Sequence, residues 1–213
     1  MATGLLGKKL GMTQTFDEAG IRYPLTVVEA GPCTVLKVKT VQSDGYNAIC
    51  VGFGEKDLRK FNKPQAGLIK KVMGEKAKVG FKTLQEFRVS NPEEFQVGQV
   101  LTVEQFNAGD LVDVSGKSKG KGFAGTIKRH HFSRGPVTHG SKNVREPGSI
   151  GNSAYPGRVV KGRKMPGQMG NKKTTVQRLR VHSVDPERNL IFIVGAIPGA
   201  KSNLVTVKPS VKA

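Results

Sequence analysis

Cysteine is almost missing from this chain of 213 residues: Cys33 and Cys50 are the only two, and they form no CxxC pair. The pattern fits a reducing compartment. Both thiols are expected in strands as small buried apolar residues. Long apolar runs are missing as well. None approaches the roughly 20 residues that cross a bilayer, and the cations are not expected to gather on one face of an amphipathic helix, so no membrane partner is expected. The first residues, MATGLLGKKLGMTQ, lack both a secretory h-region and an Arg/Ser-rich transit pattern. The chain is therefore expected to stay where it is made.

Acidic residues are scarce in one place above all. Residues 1 to 115 carry 15 Lys/Arg against 13 Asp/Glu, and residues 174 to 213 carry 6 against 2. Residues 116 to 173 carry 14 against the single Glu146, so most of the formal charge of +19 sits in that middle segment. Self-repulsion of this kind adds nothing to fold stability and points to a polyanionic partner. The same segment holds 12 of the 27 glycines. It cannot bury enough apolar surface to offset its backbone entropy and is expected to order on a partner.

The flanks differ. At this length the chain can form one large domain or two small ones, with a core that needs no metal or disulfide. TQTFDEAGIRYPLTVVEAG and PCTVLKVKTVQSDGYNAICVGFG each read as a strand pair, the second turning at Ser43-Asp44-Gly45. Alternation puts Leu36, Val38 and Thr40 on one face and Ile49, Val51 and Phe53 on a face of the next strand. Between 56 and 91 the pattern changes. Ala66, Ile69, Val72 and Met73 recur at helical spacing after Pro64, which predicts a small helical insertion. QVGQVLTVEQF, LVDVSG, TTVQRLRVHSV and LIFIVGAI return to strands. The fold class expected is mainly β: a closed or nearly closed barrel over 1–115, completed by 174–213, with the basic residues 116–173 as a long excursion.

Enzyme motifs fail on inspection. Gly120, Gly122 and Gly125 satisfy GxGxxG, but TIKRHHF after them is too short and polar for the helix of a dinucleotide fold. Gly116-Lys117-Ser118 imitates the end of a phosphate loop, yet Leu111 stands where the first glycine is required. His130, His131, His139 and His182 show no metal-ligand spacing, and no nucleophile has a base at hand. No metal, cofactor or small-molecule substrate is expected. Recognition of nucleic acid by phosphate and shape remains, since Lys117, Lys119, Lys121, Lys128, Arg129 and Arg134 alternate with glycines and with Phe123 and Phe132, which can stack.

Several stretches then carry a specific resemblance: GLLGKKLGMTQTF, GKSKGKGFAGTIKRHHFSRGPVTHGS, EPGSIG, PGRVVKGRKMPGQMGN and ERNLIFIVGAIPGA with VKPSVKA. Together and in order they resemble the bacterial-type family of large-subunit ribosomal protein three, along the whole chain and most weakly in the helical insertion. The resemblance implies a six-stranded translation-protein-type barrel and a loop that enters large-subunit rRNA towards the peptidyl transferase centre. It also implies early binding in assembly, contact with rRNA near its 3′ end, and neighbouring large-subunit proteins as partners. The place implied is the ribosome, cytoplasmic or organellar. The rRNA-binding set expected on this basis is Lys8, Lys9, Lys117, Lys119, Lys121, Lys128, Arg129, His130, His131, Arg134, His139, Lys142, Arg145, Arg158, Lys161, Arg163, Lys164, Lys172 and Lys173. Gly148, Ser149, Ile150, Gly151 and Asn152 are expected at the loop tip, where EPGSIGNSAYPG has no cation from Glu146 to Gly157. Two departures stand out. Asn152 occupies the place of a glutamine that is methylated in some members, and Val144 the place of a histidine found in many. The alternative class, a free-standing RNA chaperone or nucleoid protein, shares the charge but has no need of an excursion tied at both ends.

Overall fold

The structure is a computed structural model that describes residues 4–74 and 77–212. It is mainly β. The elements run β1 (Leu5–Phe16), β2 (Arg22–Ala30), β3 (Cys33–Lys39), α1 (Val41–Asp44), β4 (Ala48–Asp57), α2 (Lys63–Met73), β5 (Val79–Arg88) and β6 (Val100–Leu101). They continue with β7 (Leu111–Lys117), β8 (Phe123–Ala124), α3 (Thr126–His130), β9 (Gly167–Gln168), β10 (Lys173–Asp185), β11 (Leu190–Val194) and β12 (Leu204–Pro209). The chain divides into two compact units, Met1–Lys117 with Lys173–Ala213, and Ser118–Lys172.

In the first unit six strands pair in the order β1-β12-β7-β10-β11-β2, and β2 pairs back onto β1. A second sheet, in the order β5-β4-β3-β6, packs within the same unit. Leu5, Leu6, Val28, Val114, Val181 and Ile191 from the ring share one apolar cluster with Val35, Ile49, Val51 and Phe87 from the second sheet. Successive residues of a strand face opposite sides, so the adjacent Leu5 and Leu6 bring both faces of β1 into this cluster. Asp113, buried in β7, is satisfied by backbone: its carboxylate accepts from Arg178 N at 3.0 Å and Val211 N at 3.5 Å. Arg178 lies in the β10 bulge between Val176 and Leu179, at φ 57°. The bulge turns one backbone N–H towards the buried carboxylate, which would otherwise be costly to bury.

The sequence-based strands over 33–53 exist, but they build the second sheet rather than the ring. Their connection is not a two-residue hairpin turn. Thr40 and Ser43 form a capping box that starts the one-turn α1, and Gly45 ends it in the left-handed region at φ 80°. The face assignment in β3 shifts too. A bulge lies between Val35 and Lys37, so that Cys33 and Val35 face the core cluster, Leu36 is buried outside it, and Val38 packs against its edge. The expected helical insertion is narrower than 56–91: α2 fills 63–73, while β4 runs to Asp57 and β5 forms a ten-residue strand on it. The helical spacing itself works as read, with Ile69 buried, Ala66 and Val72 half-buried and Met73 at the exposed edge. Most cations lie off any amphipathic helix, but the exposed Lys63, Lys70 and Lys71 of α2 do share one face of such a helix. Both cysteines sit in strands as expected, Cys33 buried and Cys50 half-buried.

Candidate nucleic-acid interface

Residues 118–172 have little regular structure. β8 pairs with β9 through Phe123↔Gln168 and Ala124↔Gly167, and α3 follows β8. The outgoing and returning chains are zipped by backbone bonds: Ser118 N to Lys172 O at 2.9 Å, Asn171 N to Ser118 O at 3.2 Å, Lys121 N to Met169 O at 2.9 Å and Met169 N to Gly122 O at 2.9 Å. Two glycines are needed for that closeness and for the next crossing. A Cβ on Gly170 would lie 2.1 Å from Lys119 O, and one on Gly135 would lie 2.0 Å from Asn143 O, where Gly135 N donates to Val144 O at 3.0 Å. These glycines serve the protein's own backbone, in addition to the open ones that leave room for a ligand.

Only Ala124 and Thr126 are buried in this unit. Lys119, Lys121, Lys128, Arg134, Lys142, Arg145, Arg158, Lys161 and Lys164 are exposed and make no ion pair among the described residues, and Lys172 is exposed as well. Lys117 and Lys173 stand directly opposite each other on β7 and β10 of the first unit, also exposed. Like charges in that register repel and are relieved by an anion between them. Phe123 is 80% exposed, a bare ring beside cations, as base stacking requires.

Three expected RNA ligands are committed in part to the protein itself. Lys9 Nζ, half-buried, donates to Ile197 O at 2.9 Å and Gly199 O at 3.4 Å, while its neighbour Lys8 is exposed. Arg129 Nη1 donates to Met165 O at 2.7 Å, and a ring nitrogen of His130 lies 2.9 Å from the same oxygen. The Met165 carbonyl thus ties α3 to the returning chain, and no sequence signal marks such a carbonyl in advance. His131 ends α3 at φ 60°, and His139 is exposed at φ 55°. At the expected tip, Gly148 to Asn152 are all exposed, Gly148 takes φ 74°, and Ser149 Oγ donates to Gly151 O at 3.0 Å. Arg163 Nη2 donates to Ser149 O, so the turn that has no cation in sequence gains a guanidinium from the returning chain.

Residues 70–188 match the family model described as Ribosomal protein L3. The large ribosomal subunit protein uL3 of Syntrophobacter fumaroxidans is 48% identical over 213 residues, covering all of both chains. The chain belongs to the ribosomal protein L3 family. The uL3 of Desulfitobacterium hafniense is 54% identical over 213 residues, covering all of this chain and 98% of that one. The uL3c of Phaeodactylum tricornutum is 47% identical over 210 residues, covering 99% of this chain and 100% of that one. Membership of the L3 family makes the chain a structural component of the large ribosomal subunit, at work in translation, and not an enzyme. Its cellular place is the ribosome in the cytoplasm.

Proposed function

We propose that this L3-family chain binds large-subunit rRNA directly through residues 116–173, and that this contact forms early in subunit assembly. On this reading the six-strand ring is a translation-protein-type barrel over 1–115 and 174–213, carrying the basic excursion and meeting neighbouring large-subunit proteins. The observation that carries the reading is the character of residues 118–172: paired chains whose exposed Lys119, Lys121, Lys128, Arg134, Lys142, Arg145, Arg158, Lys161 and Lys164 have no carboxylate partner among the described residues, around only two buried side chains. Such a segment lacks an apolar core of its own and gains one-sided electrostatic stabilisation from phosphate. The exposed lysines of 117–173 supply point charges, whereas Arg134, Arg145 and Arg158 supply planar forks suited to phosphate oxygens. Arg129 and His130 act mainly by holding the chain in shape through the Met165 carbonyl.

The exposed turn Gly148 to Asn152 is read as the tip that supports rRNA at the peptidyl transferase centre without providing a catalytic group. Small residues fit where RNA packs most closely, and Arg163 adds charge beside Ser149. The test is drug footprinting on ribosomes carrying bulky replacements at Gly151 and Asn152. Altered protection at nucleotides of the centre is expected. Protection identical to that of unmodified ribosomes would remove the tip from that neighbourhood.

A further inference from the structure

Averaged over residues 1 to 115 the charge is nearly balanced, but the average conceals a second concentration. Residues 56 to 82 hold nine Lys/Arg against two acids, Asp57 and Glu75, which leaves six against eleven in the rest of that stretch. Helix α2 lies at the centre of this concentration. At about 100° per residue, Ala66, Ile69, Val72 and Met73 fall on one side, where Ile69 is fully buried. Lys63, Gly67, Lys70 and Lys71 fall together on the other and are all exposed. Arg59, Lys60 and Lys78 are also exposed, and none of these six cations is ion-paired among the described residues.

Two features of this face have no explanation in the fold. Gly67 sits in the interior of the helix, where glycine is among the least favourable residues. Its φ is not in the left-handed region, and a Cβ there would meet nothing within 4 Å. Neither backbone geometry nor packing calls for glycine. Lys63, in the first turn, stands at the positive end of the helix dipole, where no acid accompanies it and the Asn62 cap makes no side-chain bond. Only Lys70 and Lys71, in the last turn, suit the dipole. A flat gap flanked by three cations is what a phosphate backbone needs to come close to a helix.

We infer that the Lys63, Gly67, Lys70 and Lys71 face of α2 is a second RNA-docking surface, separate from residues 116–173, which takes the sugar–phosphate backbone of large-subunit rRNA. The inference rests on the rRNA-binding reading above and adds a second point of attachment to it. Two linked contacts on one RNA raise each other's effective concentration, so the α2 face strengthens binding beyond its own affinity. An anionic bilayer is a poor fit, because the apolar side of α2 is turned into the protein around Ile69 rather than left free to insert.

The test uses the full chain and transcribed large-subunit rRNA. K63Q/K70Q/K71Q is compared with K117Q/K119Q/K121Q in filter binding across a salt series. Each triple change is expected to flatten the slope of log affinity against log salt by about two units, at about 0.7 to 0.9 per phosphate contact. Gly67→Gln is expected to raise the melting temperature by a few degrees and to weaken rRNA binding several-fold, opposite signs that a purely structural role would not give. If the α2 triple variant keeps the original slope while the 117/119/121 variant loses it, the α2 inference fails and the rRNA reading stands. If neither slope changes, the rRNA reading itself fails. An α2 variant with unchanged rRNA binding but lost crosslinks to a neighbouring subunit protein would assign the face to protein and overturn the inference.

Discussion

Replacing residues 120 to 170 by four Gly/Ser residues should leave the first unit folded at nearly its original stability. The apolar cluster takes no residue from that span. The cut ends are already adjacent: Ser118 N bonds Lys172 O at 2.9 Å, and a Cβ on Gly120 would lie 3.6 Å from Asn171 Cβ. Shortening a closing loop from about 50 residues to four relieves at most (3/2)RT ln of the length ratio, about 2 kcal/mol. The unfolding free energy is therefore expected to stay level or to rise by up to about 2 kcal/mol. Urea denaturation followed by far-UV circular dichroism reads this directly. The variant also loses ten of the 35 Lys/Arg together with Glu146, so its affinity for rRNA should fall steeply at moderate salt. An unfolded variant, or one that loses more than about 2 kcal/mol, would refute the reasoning, because the ring would then depend on the excursion.

Three further outcomes follow from particular contacts. Lys9→Met removes the two Nζ bonds to Ile197 O and Gly199 O and should cost about 2 kcal/mol in urea melts, with the rRNA salt slope unchanged. Gly52→Ala places a Cβ 2.4 Å from Phe81 Cγ and should destabilise by about 1–3 kcal/mol, measured in the same way. Burial pushes the Cys33 thiol up to about 11, while in the unfolded chain it ionises near 8.5. Its contribution is thus fully present below about pH 8.5 and is lost as pH rises towards 11, since only the unfolded chain ionises in that window. Cys33→Ala should flatten the alkaline fall in stability, and an unchanged profile would contradict the assignment.

Strand existence was easier to read than strand membership. Runs of strand-favouring residues between turn signals marked β1, β2, β3, β4, β7, β10 and β11. Alternation says nothing about which sheet a strand joins, so β3 and β4 read as part of the barrel although they pair in the second sheet. A bulge at Leu36 also moves the buried face by one residue, which a strict period-two reading cannot follow. β5 was hidden by its polar surface: GFKTLQEFRV sits beside a helix and carries its core signal mostly in Phe87. QVGQVLTVEQF shrank to the two-residue β6 and a 3-10 turn over Val103–Gln105.

The charge of the interface was legible because composition alone records it. What each cation does was not. Lys9, Arg129 and Arg163 look in sequence like any other surface cation, yet each donates to a carbonyl between 14 and 190 positions away. The cationic face of α2 was lost for a different reason, since a count over 115 residues cancels the cations around α2 against acids elsewhere, most of them in turns and short helical segments.

The central claim is that residues 116–173 lie against large-subunit rRNA, and ultraviolet crosslinking of intact large subunits with peptide identification by mass spectrometry tests it most directly. Nucleotide adducts are expected on peptides of 116–173 at several of Lys119, Lys121, Phe123, Arg134, Lys142 and Arg145, with a smaller set on α2. Adducts confined to the ring strands, with the peptides of 116–173 recovered unmodified, would contradict the account.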